Sequence, residues 1–169
     1  MESLDLNSHS PEQTQLLGSC LGELAQRADV FLLVGELGAG KTCLAQGIAR
    51  GLEVEEYAFS PSFVILREYH GRLPLYHIDF YRLDRIEEIA DLALEEYFFG
   101  DGVCVIEWAE KGLPIVPRDN LLITIRYTSA AKRGRSVSLK PQGQRYRELI
   151  EQLKIREGIM ALRRSRLTR

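Results

Sequence analysis

The chain has few cysteines, one tryptophan, and no long apolar run among its 169 residues. Cys20, Cys43 and Cys104 are odd in number, show no C-x-x-C spacing, and each lie in an apolar segment. A disulfide framework or a cysteine-based zinc site is therefore excluded, and reduced core thiols in a cytoplasmic protein are expected. No stretch approaches the roughly 20 apolar residues of a membrane span. Met1-Glu2-Ser3-Leu4-Asp5 has neither the basic nor the apolar region of a signal peptide. Internal repeats are also missing. With 45% hydrophobic and 27% charged residues, the chain suits one domain large enough to bury its own core. Its net charge of −2 hides an asymmetry: from Arg145 onward, eight Lys/Arg face three Asp/Glu. One domain over residues 1–155 and a flexible basic tail over 156–169 are expected. Such a tail suits a contact with nucleic acid or an acidic protein surface, and a solvated helix with a frayed end accounts for it equally.

Against that background one stretch stands out. Gly35-Glu36-Leu37-Gly38-Ala39-Gly40-Lys41-Thr42 fits G-x-x-x-x-G-K-[ST], the phosphate-binding P-loop. Val30 to Val34 before it is an apolar run with strand character. Cys43 to Leu52 after it reads as a helix, with Leu44, Ile48 and Leu52 at helical spacing. Glycine lets such a loop bring its N–H groups close to a polyphosphate, and a helix N-terminus favours negative charge. Lys41 is expected to reach the β- and γ-phosphates, and the Thr42 hydroxyl to hold magnesium.

Further along the chain, Ser10-Pro11-Glu12 opens a helix that runs to about Arg27, with Gln13 at capping-box spacing. Residues 1–8 carry a weak edge-strand signal. Phe63–Tyr69 and Leu75–Tyr81 flank a turn containing Gly71 and Pro74, so an antiparallel hairpin is expected. In the second run Tyr76, Ile78 and Phe80 share one face, and His77, Asp79 and Tyr81 the other. Asp84 is placed as the cap of a helix from Ile86 to about Tyr97. Val103–Ile106 reads as a strand covered on both faces. Two more strands, Leu121–Tyr127 and Val137–Leu139, turn near Gly134, and a helix follows from Gln144 to Leu162. The whole reads as a single α/β domain, like a P-loop NTPase, with a mixed sheet (parallel strands plus an antiparallel hairpin) flanked by helices.

Two carboxylates close apolar strands. Glu107 is the first candidate for a magnesium contact, and Asp79 is the second, either for the metal or for positioning an attacking water. Trp108 suits packing against a nucleotide or plain packing. Ser60-Pro61-Ser62 offers hydroxyls where a γ-phosphate switch would lie. His77 suits an assisting role, although a structural histidine is the commoner case.

In order, the P-loop, Ser60-Pro61-Ser62-Phe63, Leu75-Tyr76-His77-Ile78-Asp79-Phe80-Tyr81-Arg82-Leu83 and Ile106-Glu107-Trp108 resemble the TsaE (YjeE) family. The resemblance covers roughly residues 10–140. It implies a compact P-loop α/β domain that binds ATP or ADP with magnesium and hydrolyses ATP weakly on its own. It further implies work with the TsaB–TsaD pair, which transfers a threonylcarbamoyl group to adenosine 37 of tRNA, with ATP use resetting that complex between turnovers. Contact with tRNA would be indirect or through the basic tail. Carried over by position, Lys41, Asp79 and Glu107 are the implied catalytic residues, and Thr42 and Glu107 the metal contacts. Gly35, Glu36, Leu37, Gly38, Ala39, Gly40, Lys41, Thr42, Cys43 and Trp108 surround the nucleotide, with Thr14 and Arg135 near it. Ser62, Cys43 and Ala109 depart from the family's usual Thr, Thr and Pro.

Two alternatives stand beside this reading. In an ATP-dependent binding switch, occupancy rather than hydrolysis matters. A small-molecule kinase is disfavoured because no arginine-rich lid separates the motifs. A GTPase is disfavoured because no N-K-x-D signature occurs.

Overall fold

A computed structural model describes residues 3–56, 64–128 and 134–163. Among these residues seven strands form one sheet in the order β1-β7-β6-β2-β5-β4-β3. They are β1 Leu4–Ser8, β2 Val30–Val34, β3 Leu66–Tyr69, β4 Leu75–Asp79, β5 Val103–Glu107, β6 Asn120–Tyr127 and β7 Arg135–Gln142. The central strands β6, β2, β5 and β4 run parallel. The flanks β1–β7–β6 and β3–β4 are antiparallel. The mixed sheet expected from the hairpin is therefore present, with a second antiparallel flank formed by β1, β7 and β6.

Strand chemistry explains the two-layer burial. In β2, Phe31 and Leu33 face one hydrophobic cluster, and Val30 and Leu32 face the other. β5 divides the same way, with Val103 and Val105 opposite Cys104 and Ile106. Strands apolar on both faces must be covered on both faces. The first face carries α1 (Pro11–Leu24), α2 (Lys41–Gly51), α5 (Gln144–Lys154) and α6 (Glu157–Met160). The second carries the short helices α3 (Ile86–Ala90) and α4 (Glu95–Phe98).

Helix α1 begins as its sequence dictates. Ser10 Oγ accepts from the Gln13 N–H at 3.2 Å, Pro11 occupies the first turn, and Gln13 Oε1 accepts from the His9 N–H at 2.8 Å. Its other end is capped from afar: the Arg72 guanidinium donates to the carbonyls of Gly22, Glu23 and Ala25. α1 and α2 pack with their backbones in contact. A Cβ on Gly22 would lie 2.3 Å from the Ile48 carbonyl oxygen, and one on Gly51 2.1 Å from that of Ser19.

Three expectations need correction. The helix expected from Ile86 to Tyr97 is two short helices, because Ala93 takes the left-handed conformation (φ 51°) between them. Asp84 does not cap by its side chain; its N–H donates to Glu88 Oε2 at 3.1 Å. The helix expected from Gln144 to Leu162 breaks after Lys154, and α6 follows at Glu157. Residues 156–163 pack against the domain, with Ile159 fully buried and the Asn7 N–H donating to the Leu162 carbonyl at 2.8 Å. The remaining basic residues 164–169 lie outside the described residues. No helix among the described residues is long and apolar enough to cross a membrane.

Candidate functional site

The carboxyl ends of parallel strands are where an open α/β sheet leaves a crevice. Here the ends of β2, β4 and β5 meet the N-terminus of α2. Gly38 (φ 79°) and Gly40 (φ 114°) take backbone conformations that favour glycine, and Gly40 is the N-cap of α2 with no side-chain cap. A Cβ built on Gly40 would meet nothing within 4 Å, so open space lies over the loop. The uncapped amides and the helix dipole suit this end to an anion.

Lys41, the first residue of α2, is buried. Its ammonium donates to the carbonyls of Gly35 and of Glu36 (2.9 Å) and lies 4.2 Å from the Trp108 ring centroid. Burial pushes its pKa below the ordinary 10.5, and the carboxylates of Glu107, Glu110, Asp79 and Glu36 oppose that push. Thr42 donates its hydroxyl to Glu107 Oε1 at 2.9 Å. The strand register sets Asp79 opposite Glu107, and both carboxylates are buried. Asp79 Oδ1 accepts from the Tyr81 N–H at 2.8 Å. His77 Nε2 lies 2.6 Å from Glu107 Oε2. Trp108 leaves β5 in the left-handed region (φ 55°), and its ring lies 5.0 Å from that of Tyr81. A cavity of about 280 Å³ lies between the P-loop, Glu107, Tyr81 and Trp108.

A second cavity of about 230 Å³ adjoins the loop on its other side, lined by Pro11, Thr14, Gly40, Cys43 and Arg135 among others. Thr14 is buried there, with its hydroxyl 2.6 Å from that of Ser8. Arg135 donates to the carbonyls of Ala39 (2.7 Å) and Gly38 (3.4 Å) and stacks 4.2 Å from the Tyr127 ring. Tyr127 in turn donates to the Leu37 carbonyl at 3.4 Å. Cys20 and Cys104 are core thiols as expected, but Cys43 is half-buried at the mouth of both cavities. Burial and Glu12 raise its pKa, with Arg135 opposing.

Every described site residue named from the sequence thus lies on or beside the P-loop crevice. The Ser60-Pro61-Ser62 segment lies outside the described residues. The alternation of β4 sets His77 on the Asp79 face, and its closeness to Glu107 comes from the pairing of β4 with β5.

The donor set suits a polyphosphate with a hard cation. Thr42 and Glu107 offer the hydroxyl and carboxylate oxygens that magnesium takes, and loop amides with Lys41 suit phosphate. Among the described residues no three His, Cys, Asp or Glu could hold a metal together. Magnesium in such a site would complete its shell with phosphate oxygens and water.

Residues 8–137 match the family model described as "Threonylcarbamoyl adenosine biosynthesis protein TsaE". The chain belongs to the TsaE family. It is 39% identical over 160 residues to the tRNA threonylcarbamoyladenosine biosynthesis protein TsaE of Bacillus subtilis, covering 94% of this chain and 99% of that one. The protein of the same name from Treponema pallidum is 41% identical over 126 residues, covering 75% and 93%. Among solved structures, that of Bacillus subtilis YdiB superposes with a TM-score of 0.79 at 35% identity, covering 90% of this chain and 95% of that chain. The TsaE family match spans the P-loop, Asp79 and Glu107.

Proposed function

We propose that this chain is a magnesium-dependent ATPase subunit of tRNA threonylcarbamoyladenosine formation. In this reading it hydrolyses ATP weakly alone and acts with the TsaB–TsaD pair to reset that complex between turnovers. The observation that carries it is the contact of Thr42, the second residue of an uncapped P-loop helix, with Glu107 at 2.9 Å. That pair brings a hydroxyl and a carboxylate, oxygens of the kind magnesium takes, side by side at the end of the loop. Membership of the TsaE family supplies the pathway.

The residues divide the work. The amides at the start of α2 receive phosphate oxygens. Lys41 exchanges the Gly35 and Glu36 carbonyls for the β- and γ-phosphates. Magnesium held by Thr42 and Glu107 supplies positive charge to the same phosphates. Asp79, level with Glu107 on the neighbouring strand, accepts a hydrogen bond from the water that attacks the γ-phosphorus, and ADP leaves. Thr14 and Arg135 border the smaller cavity, which is sized for part of a nucleoside.

The test is ATP hydrolysis by the purified chain with and without magnesium and the TsaB–TsaD pair. A low magnesium-dependent rate that rises with the pair supports the proposal. An unchanged low rate together with ATP-dependent association favours the occupancy switch. For that second reading the relevant contact is Lys41 on Trp108, which runs from the loop to the half-exposed Tyr81. Fast hydrolysis without partners would refute both.

A further inference from the structure

His77 has no role in the steps above, yet it is 1% exposed and sits one hydrogen bond from the Thr42–Glu107 pair. Glu107 is bound at both oxygens. Oε1 accepts from Thr42 at 2.9 Å, and Oε2 lies 2.6 Å from His77 Nε2. Strand register explains the reach. His77 pairs with Val105 and Asp79 with Glu107, so His77 lies one pleat below the carboxylates on the same face of the sheet.

The other ring nitrogen is informative. His77 Nδ1 is buried and has no hydrogen-bond partner among the described residues. A histidine kept only for the core is expected to satisfy both nitrogens, because a buried orphan is costly. Here the single strong bond goes to Glu107, so that contact fixes the ring. An Nε2–H donor also suits its acceptor. It holds the carboxylate in one rotamer, with Oε1 left facing Thr42. Carboxylates that ligate metals are commonly held in this way.

We infer that His77 is a positioning residue for the metal contact. Its Nε2–H donates to Glu107 Oε2 and aims Oε1 at Thr42 and the magnesium ion. The inference rests on the nucleotide–magnesium reading of this site and deepens it.

The experiment measures Mn²⁺ affinity in the ADP complex of the full chain by electron paramagnetic resonance, and ADP affinity in EDTA by calorimetry. It compares the wild type, His77→Leu and His77→Gln. The glutamine amide places a donor near the Nε2 position, and leucine fills a similar volume with none. His77→Leu should weaken Mn²⁺ binding by about 10–100-fold, with ADP affinity in EDTA changed less than about 2-fold. His77→Gln should restore most of the loss. Unaltered Mn²⁺ affinity in His77→Leu, or equal losses in both variants, would overturn the inference. Equal loss of ADP affinity in EDTA would show a structural role and overturn it too. Should His77→Leu fail to fold, nitrogen-15 NMR of the wild type decides instead: protonated Nε2 supports the inference, and an Nδ1–H tautomer with bare Nε2 overturns it. Failure of the functional reading looks different, since the wild type itself would then bind no ADP or no Mn²⁺, and the inference falls with it.

Discussion

Replacing Gly51 with alanine tests whether the P-loop helix is seated on backbone contact. The new Cβ would lie 2.1 Å from the Ser19 carbonyl oxygen and 2.9 Å from Glu23 N and Gly22 Cα. Ordinary contact at such a position begins near 3.4 Å, so α1 and α2 must part by roughly 1 Å at that level. Backbone atoms cannot rotate away as a side chain would. Overpacking of this kind costs about 1–3 kcal/mol. Removing a glycine from a helix returns up to about 1 kcal/mol. Gly51 is the last residue of α2, where that interior value applies least, so the expected net loss is about 0.5–3 kcal/mol, or about 1–12 °C in Tm for a chain of this length. Urea unfolding followed by far-UV circular dichroism measures it, with an unchanged m-value as the check on two-state behaviour. Gly158→Ala is the control. The three atoms nearest its Cβ would all belong to the Leu16 side chain, the first at 2.9 Å, and that side chain can turn aside; a change within about 0.5 kcal/mol is expected. The site adds a second comparison. A Cβ on Gly18 would lie 2.4 Å from the Leu44 carbonyl oxygen, in the first turn of α2, whereas Gly51 ends that helix about 10 Å away. Gly18→Ala should therefore weaken nucleotide binding more than Gly51→Ala. A Gly51→Ala protein as stable as the wild type would refute the reasoning.

Three further outcomes are expected. Lys41→Met removes the ammonium that the proposed function sets against the phosphates, and calorimetry should show ADP affinity reduced by about 10–100-fold, the weight of one or two charge-assisted hydrogen bonds; undiminished affinity would contradict the proposal. Asp29, 2% exposed, accepts from Arg145 at 3.0 and 2.7 Å and from the Gln26 N–H at 2.8 Å. Asp29→Ala strands Arg145 and should cost about 3 kcal/mol in urea unfolding, and a loss below 1 kcal/mol would show that solvent already screens the pair. Alkaline pH should destabilise the fold through Cys104, whose thiol burial pushes from 9.0 up to about 12. A folded pKa above the unfolded one gives stability that is full below pH 9 and is lost as pH rises toward about 12. Burial also raises Tyr146 and adds to that loss, whereas Lys41, held below 10.5, acts with the opposite sign. Cys104→Ala should flatten the alkaline limb of stability against pH, and an unchanged slope would assign it to other groups.

Much of this architecture is legible in local chemistry. Val30–Val34 is apolar at every position because both sheet faces are covered, and Gly71 with Pro74 turns β3 back along β4. Gly38 and Gly40 take positive φ, which favours glycine, and the spacing of the motif marks the loop in the sequence. Other features depend on contacts that no short window contains. Ala93 adopts a conformation rare for alanine, so the apolar spacing from Ile86 to Tyr97 reads as one helix and forms two. Gly18, Gly22, Gly47 and Gly51 look like weak points in two helices until α1 and α2 are seen to touch through them. The packing of 156–163 depends on Leu6 and Asn7, some 150 residues earlier, and charge counting alone suggests a free tail. At the site, periodicity sets His77 and Asp79 on one face, but the pairing of β4 with β5 decides that His77 reaches Glu107 and that Asp79 stands opposite it.

The antiparallel flank has a consequence for the P-loop itself. A peptide bond is planar and trans, so its C=O and N–H point to opposite sides. Arg135, the first residue of β7, draws the Ala39 carbonyl to 2.7 Å, which turns the Gly40 N–H of the same peptide away from the guanidinium. Tyr127, the last residue of β6, pairs with Arg135 across the strands and donates to the Leu37 carbonyl. Two side chains from one hairpin therefore restrain three successive carbonyls, those of Leu37, Gly38 and Ala39. Glycine-rich loops are entropically expensive to order. Restraining the loop from outside lowers the ordering that an incoming phosphate must impose. It also couples loop geometry to the paired strand ends at Tyr127 and Arg135. A change at either residue then alters phosphate affinity without touching Lys41, Thr42 or Glu107.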